Sequence, residues 1–241
     1  SDILIENFKV GGLAAYGLDY AALKAINPRL IYCSITGFGQ SGPYAQRAGY
    51  DFIIQGMSGL MSITGPAGGE PQKVGVAVTA IFTGLYTVIA IQAALRHAEA
   101  TGQGQYIEIA QVEATVASMA LAYLDYFATG TVAVPRGNRD PNAVPQGCYP
   151  CVGHEAWCVI SCTTDAQWRA LATLIEGEAL ADDPGLTTVT ARWERHDELD
   201  ERICAWTREQ TRHQIMRQLQ AVGVPAGVVN LVLGPGDRRG L

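Results

Sequence analysis

The sequence predicts an α/β protein with a large domain over residues 1–130 and a small α+β domain over residues 148–230. In the first part, short β-branched or aromatic runs alternate with stretches of helical spacing, which indicates strands and helices packed in layers. A Pro-, Asn- and Gly-rich segment at 131–147 follows and is predicted to be a linker. After it, two strand-like runs precede several helices, and a divergent tail closes the chain at 231–241.

The large domain shows clear element ends. Pro28 ends the first helix, and Gly130 is typical of a helix C-cap. The predicted strands span 3–8, 30–35 and 104–110, and residues 73–86 look like a further strand that runs into a helix. The predicted helices span 18–28, 52–63, 79–98 and 112–130. The helix over 79–98 is apolar on every side, so we expect it to be mostly buried.

The small domain begins with a predicted pair of strands joined by the turn "VGHE". These strands span 146–151 and 156–161, and a third strand spans 224–230. The predicted helices span 163–176, 188–206 and 208–222. Thr164 and Gln167 have the spacing of a capping box, which places the start of the first of these helices.

Composition limits the classes of function. Apolar residues make up 48% and charged residues 17%, as in a folded globular protein, and the net charge of −6 disfavours nucleic acid as a partner. The most apolar window, Ala80–Leu95, is shorter than the roughly 20 apolar residues of a membrane span, so no membrane partner is expected. With no signal peptide pattern at Ser1, we expect a cytoplasmic protein with reduced cysteines.

Two local patterns have competing interpretations. "GFGQSG" at 37–42 could approach a phosphate through its backbone, but its spacing fits neither the dinucleotide fingerprint nor the P-loop. The second pattern is a dense run of cysteines that could form a zinc module, with Cys148, Cys151, His154, Cys158 and Cys162 as its ligands. Because side chains alternate along a strand, Cys148 and Cys151 should point to opposite faces. We therefore expect small buried cysteines and no metal.

Four carboxylates lie near predicted helix starts or strand ends. Asp51 and Asp165 suit the starts of helices, and Glu113 is favoured near a helix N-terminus by the helix dipole. Glu108 lies on the strand before Glu113. Structural roles explain all four without invoking chemistry, so these residues alone do not identify an active site.

Long ordered motifs carry a resemblance to a known family. They are "ENF" (6–8), "NPRLIYCSITGFGQSGPYAQRAGYD" (27–51), "TGQGQY" (101–106), "GNRDPNAVPQ" (137–146) and "GVPAGVVN" (223–230). Together they resemble the family III CoA-transferases. The resemblance implies a Rossmann-like large domain that binds CoA, a small α+β domain, and an interlocked homodimer. It also implies a first βα unit and a C-terminal return that this sequence does not contain, so we interpret it as an internal fragment.

The resemblance implies a covalent mechanism on a carboxylate. An Asp attacks an acyl-CoA thioester to give a mixed anhydride, the released CoA thiolate forms an enzyme thioester, and an acceptor carboxylic acid takes the CoA. The family position of that Asp is residue 80, which is Ala80 here. Thr79 is a poor replacement, and Glu113 is a candidate substitute. The racemase branch is excluded, because Tyr50 replaces the His that it requires and the partner Asp is again position 80.

The resemblance also implies contacts with CoA, which is a substrate and not a bound cofactor. Asn7 and Phe8 are expected near the adenine end, with Gly12 close by. The family Arg for the phosphates is replaced by Ala15, and Arg47 is a candidate phosphate partner. In the small domain, the counterpart of a loop over the site is "CTTDAQW" (162–168), whose acidic residue is Asp165.

Two interpretations of function follow from this resemblance. The first is a CoA-transferase acting on an acyl-CoA and a carboxylic acid. The alternative is a non-catalytic CoA-binding or scaffold subunit that pairs with a catalytic homologue, and the loss of Asp at Ala80 favours it.

Overall fold

The structure, a computed structural model, describes residues 1–231 and divides the chain after Gly137 into two units. Unit 1 spans Ser1–Gly137, and unit 2 begins at Asn138. The predicted tail at 231–241 lies outside the described residues except for its first residue.

Unit 1 is built on a parallel three-stranded sheet, as the alternating pattern predicted. Its strands are β1 (Ile3–Glu6), β2 (Ile31–Thr36) and β3 (Tyr106–Ala110), in the order β1-β2-β3. Five helices belong to this unit, namely α1 (Tyr20–Ile26), α2 (Asp51–Met57), α3 (Val78–Thr101), α4 (Gln111–Ser118) and α5 (Ala120–Thr129). On one face of the sheet, Ile31 packs against Ala94 and Ala98 of α3.

Three sequence predictions for unit 1 were wrong in detail. Helix α2 ends at Met57, because Gly59 adopts a left-handed backbone with φ of 88° and a short 3-10 turn follows it. The single helix predicted over 112–130 is two helices that meet at Met119. Residues 73–77 form no strand and instead lead directly into α3. The C-cap at Gly130 is confirmed, with φ of 74°.

Helix α3 is much more exposed in this chain than its composition predicted. Its buried side chains follow one stripe: Thr79, Thr83, Thr87, Ile91, Ala94 and Ala98. The stretch predicted to be too short for a membrane span belongs to a helix that is long and apolar enough to cross a membrane, with a mean hydropathy of 1.8, and 28% of that window is buried. One such helix is weak evidence for a membrane span, and α3 packs along β2 and β3.

Unit 2 pairs a small antiparallel sheet with a group of helices. The strands are β4 (Gln146–Pro150), β5 (Trp157–Ser161) and β6 (Ala226–Val228), with β5 in the centre. The helices are α6 (Asp165–Glu176), α7 (Glu178–Ala181), α8 (Val189–Glu194), α9 (His196–Thr207) and α10 (Arg212–Ala221). The helix predicted over 188–206 is interrupted at Arg195, which separates α8 from α9. The capping box of Thr164 and Gln167 is confirmed.

The second half of the predicted linker is tied into unit 2. Val144 is fully buried, and its carbonyl accepts a hydrogen bond of 2.9 Å from Arg192 Nε. Cys162 donates its backbone N–H to the carbonyl of Pro145 at 2.9 Å. Residues 138–147 therefore pack as an ordered part of this unit.

Candidate functional site

A cleft opens in unit 1 at the carboxyl ends of β1 and β2. It encloses about 230 Å³ and is lined by Asn7 and Phe8 after β1, by Thr36 at the end of β2, and by Arg47 and Tyr50 from the following loop. Ligands of open α/β sheets bind at this edge, where the loops after the strands meet. The structure thus brings Arg47 into the same cleft as Asn7 and Phe8, which lie about 40 positions earlier in the sequence. Their contact with CoA stays a prediction.

Local contacts fix the walls of this cleft. Asn7 Nδ2 donates to the carbonyl of Ile35 at 2.6 Å, which ties the end of β1 to β2. Phe8 is 61% exposed, so its ring is free to stack on a ligand. The loop after β2 returns so closely that Gly37 and Gly49 touch backbone to backbone. Side chains at these two positions would separate the walls.

Two cations lie at the cleft, and the sequence interpretation identified one of them. Arg47 stacks its guanidinium 4.3 Å from the ring centre of Tyr44. Lys9, which follows the "ENF" motif directly, lines this cleft and a neighbouring one that contains Gly12. Neither cation has an acidic partner in the part of the chain that the structure describes. Unpaired cations at a cleft are suited to bind an anionic ligand.

Position 80 lies in the first turn of α3, beside a buried polar network. Ala80 is exposed, and Thr79 before it is fully buried. Asp51 accepts hydrogen bonds from the backbone N–H and the hydroxyl of Thr79, at 3.1 and 2.6 Å. Gln55 Nε2 donates to the other carboxylate oxygen at 2.7 Å. Asp51 was predicted to cap its own helix, but the structure shows that it caps α3, because the loop before α3 folds back onto α2.

Two consecutive residues, Tyr50 and Asp51, link the wall of the cleft to the start of α3, where position 80 lies. Tyr50 lines the cleft, and the next residue, Asp51, holds the start of α3 through Thr79. The exposed first turn of a 24-residue helix is an environment that favours a carboxylate at position 80. This chain carries a methyl group there instead.

Comparison with known proteins identifies the family of this chain. Residues 1–233 match the family described as CoA-transferase family III. The chain belongs to this family. It is 44% identical over 232 residues to a succinate–glutarate CoA-transferase of Agrobacterium fabrum, covering 96% of this chain and 58% of the relative. It is 35% identical to a succinyl-CoA–D-citramalate CoA-transferase of Chloroflexus aurantiacus, covering 94% of this chain and 56% of the relative.

A solved structure shows the same fold. A CaiB/BaiF family protein from Brucella suis is 46% identical and superposes with a TM-score of 0.89, covering 96% of this chain and 61% of that protein. The chain therefore spans less than two thirds of the length of these family III relatives.

Glu113, the predicted substitute carboxylate of this family III chain, lies in the first turn of α4 and is exposed. Within residues 1–231 it makes no side-chain hydrogen bond or ion pair, and it does not line the cleft. Asp51 is the carboxylate that the structure places beside position 80. Thr79 is also unavailable as a nucleophile, since its side chain is fully buried and a substrate cannot reach its hydroxyl.

Asp165 belongs to unit 2 and occupies the first turn of α6. It accepts a hydrogen bond of 2.7 Å from Arg192, whose guanidinium is completely buried and also donates to two backbone carbonyls. Trp168 is buried in the core of the unit. Most of the segment predicted as a loop over the site is thus the start of a helix, and a role for Asp165 at the site stays a prediction.

The cysteine pattern does not form a metal cluster in the described residues, where no group of three potential ligands is found. Cys151, one residue beyond β4, belongs to the buried cluster of Tyr149 and Cys158, and Cys148 does not, as the predicted alternation of faces implies. Burial raises the pKa of the Cys158 and Cys162 thiols, the latter to about 12. Such thiols stay protonated and pack as small apolar groups.

Proposed function

We propose that this chain binds CoA in the cleft of unit 1 and forms the substrate-binding part of a CoA-transferase that acts on an acyl-CoA and a carboxylic acid. The observation that supports this proposal is the cleft at the strand ends, which is lined by Asn7, Phe8 and Arg47. The nearby start of α3 is suited to a nucleophilic carboxylate. Lys9 supplies a second cation, which compensates for the absence of Arg at Ala15.

The first test measures CoA binding. We expect a micromolar dissociation constant for the 241-residue chain, about −8 kcal/mol. Arg47→Ala and Lys9→Ala should each weaken binding by about 1.5–3 kcal/mol, because each removes a charge-assisted contact with a phosphate. Isothermal titration calorimetry measures both, and Arg29→Ala is the matched control, since Arg29 is exposed, precedes β2 and lines neither cleft. Equal affinities across all four proteins would contradict the assignment of the cleft.

The second test concerns residue 80. The present chain should form no covalent adduct with an acyl-CoA, because Ala80 offers no nucleophilic atom. Ala80→Asp should restore an anhydride or enzyme thioester that hydroxylamine traps and mass spectrometry maps to residue 80. Since Ala80 is exposed, we expect this change to cost less than about 1 kcal/mol of stability. Ala80→Asn is the control of similar size. An adduct on the unaltered chain would show that another residue is the nucleophile.

The second candidate function is a non-catalytic subunit that binds CoA and pairs with a catalytic homologue. Ala80 favours it, because a cleft without a carboxylate can bind CoA but cannot complete the transfer. CoA binding by the unaltered chain, together with no turnover by a well-folded Ala80→Asp protein across a panel of acyl-CoA thioesters and acids, would support this role. We propose that the transferase would assemble as the homodimer that the family resemblance implies, whereas a non-catalytic subunit would pair with a homologue. The oligomeric state of the purified chain distinguishes the two.

A further inference from the structure

The segment that leads into α3 has almost no side-chain packing of its own. Residues 73–77 form neither a helix nor a strand, and all of them except Val74 are exposed. A segment without buried side chains gains little stability from packing, so its path must be fixed by other contacts. Those contacts also fix the first turn of α3, in which position 80 lies.

One buried side chain of α2 provides that restraint. Gln55 is fully buried, and its Oε1 accepts a hydrogen bond of 2.9 Å from the backbone N–H of Val74. Its Nε2 also lies 3.4 Å from the carbonyl oxygen of Val76, which is a long hydrogen bond. Among residues 1–231, no other side chain forms a hydrogen bond with residues 73–76. The path of the segment therefore depends on one amide group.

The same amide also holds the carboxylate that caps α3. Gln55 Nε2 donates to Asp51 Oδ2 at 2.7 Å, and Asp51 Oδ1 accepts from the backbone N–H of Thr79 at 3.1 Å. Asp51 and Gln55 lie four residues apart, which places them on one face of α2. A side-chain amide suits both contacts, since its nitrogen donates and its oxygen accepts. A carboxylate at position 55 would only accept, and an apolar side chain would do neither.

Helix α3 does not provide this restraint by itself. Its N-cap residue is Ala77, which makes no side-chain hydrogen bond to the first turn, so the start of the helix is held from α2. Position 80 lies one residue after Thr79, and a shift of about 1 Å in a reacting group can slow a reaction 100-fold. We propose that Gln55 is a positioning residue for position 80, which fixes the first turn of α3 so that a carboxylate there is correctly placed to attack a thioester.

The first measurement tests the restraint in the chain as it stands. Gln55→Met has a similar length but no N–H group to donate. We expect the backbone amides of Val74 and Thr79 to exchange with solvent about tenfold faster in this variant, measured by NMR hydrogen exchange. The amides of Ile91 and Ala94, in the buried part of α3, are the internal reference and should stay protected. Unchanged exchange at Val74 and Thr79 would overturn the inference.

This inference rests on the proposed function, so the second measurement is made in an Ala80→Asp background. There, Gln55→Met should slow formation of the covalent adduct with acyl-CoA by about 10- to 100-fold, followed by rapid-quench mass spectrometry. The affinity for CoA should stay the same, because Gln55 does not line the cleft. Thr87→Val is the matched control: it removes a buried hydrogen bond of 2.8 Å farther along α3 and should leave the rate unchanged.

The outcomes separate the inference from the proposed function. Slower adduct formation with unchanged CoA affinity supports the inference. An unchanged rate, or equal slowing in Thr87→Val, overturns it and leaves the proposed function intact. A folded Ala80→Asp protein that forms no adduct overturns the transferase proposal and this inference with it. If Gln55→Met does not fold, as judged by its melting transition, Gln55→Glu replaces it, because it keeps the acceptor for Val74 but places a second carboxylate against Asp51.

Discussion

The shape of the cleft depends on two residues that have no side chain. A Cβ atom on Gly37 would lie 2.4 Å from the Cα atom of Gly49, and one on Gly49 would lie 2.3 Å from Gly37 Cα. No carbon atoms approach so closely without a bond, so a larger residue would force the two backbone segments apart. Both glycines are placed by this close approach and not by a left-handed backbone, since neither has a positive φ.

Gly49→Ala should therefore destabilise unit 1 and weaken CoA binding together. We expect a loss of about 1–3 kcal/mol in the free energy of unfolding, because the added methyl group has backbone atoms as its neighbours. Chemical denaturation and calorimetry measure the two effects. Gly84→Ala is the matched control: it lies within α3 with open space around it, and it should stabilise the chain by about 0.5–1 kcal/mol. Unchanged stability in Gly49→Ala would show that the two segments can move apart freely.

At the scale of elements, one carboxylate joins three parts of unit 2. Asp200 on α9 accepts hydrogen bonds from Arg139 at 2.6 Å and from the Tyr149 hydroxyl of β4 at 2.9 Å. His196 Nδ1 lies 3.2 Å from Asp200 Oδ2, without the alignment of a hydrogen bond. Burial alone would raise the pKa of Asp200, but these contacts outweigh it and lower the pKa below its ordinary value.

Asp200→Asn should destabilise unit 2 in a pH-dependent way. The unfolded pKa of an aspartate is about 3.9, and the folded value lies below it, so the carboxylate stabilises the fold fully above that pH. The stabilisation is lost as the pH falls through the folded pKa. We expect a cost of about 2–3 kcal/mol at pH 7 that shrinks below about pH 4, measured by urea unfolding across this range.

The neighbouring carboxylate provides the control for this prediction. Asp197 also accepts from Arg139 at 2.6 Å, but its side chain is 87% exposed. Asp197→Asn should cost less than about 1 kcal/mol at any pH, because solvent screens exposed ion pairs. Equal effects of the two substitutions, or a constant cost of Asp200→Asn down to pH 3, would count against the network.

At the scale of the whole molecule, two helices expose large apolar side chains of the kind that a folded monomeric protein usually buries. On α3 these include Ile81, Leu85, Val88 and Ile89, with 55–66% of each exposed, and on α5 they include Leu121, Leu124 and Phe127. Exposed apolar surface of this kind marks contact with another chain or segment. The homodimer implied by the family resemblance is one occupant, and other parts of a longer protein are another.

We expect purified chain to self-associate through α3. A Leu85→Lys, Ile89→Lys double substitution should weaken this association by roughly tenfold or more, because it places unpaired charges within an apolar contact. Sedimentation equilibrium measures the effect. Gln92→Lys adds a charge on the same helix at an exposed polar position and should have little influence. A monomeric unaltered chain would show that a different segment covers this face.

Local signals in the sequence were sufficient for much of the fold. The β-branched runs placed the strands of both sheets, Gly130 marked a helix end through its backbone freedom, and Thr164 with Gln167 marked a helix start. These features depend on neighbours within a few residues. The same residues could not reveal the helix break at Met119, because no Gly or Pro accompanies it.

For the candidate site, too, some features could be predicted from the sequence and others only from the tertiary structure. Ordered motifs, read by resemblance, predicted that Asn7, Phe8 and Arg47 belong to one site, and the structure brings them into one cleft. The tertiary structure alone decided that Asp51 holds the start of α3 and that Gln55 holds the segment before it. Both depend on which segments meet in space, since hydrogen-bond partners 28 and 19 residues away leave no trace in the local pattern.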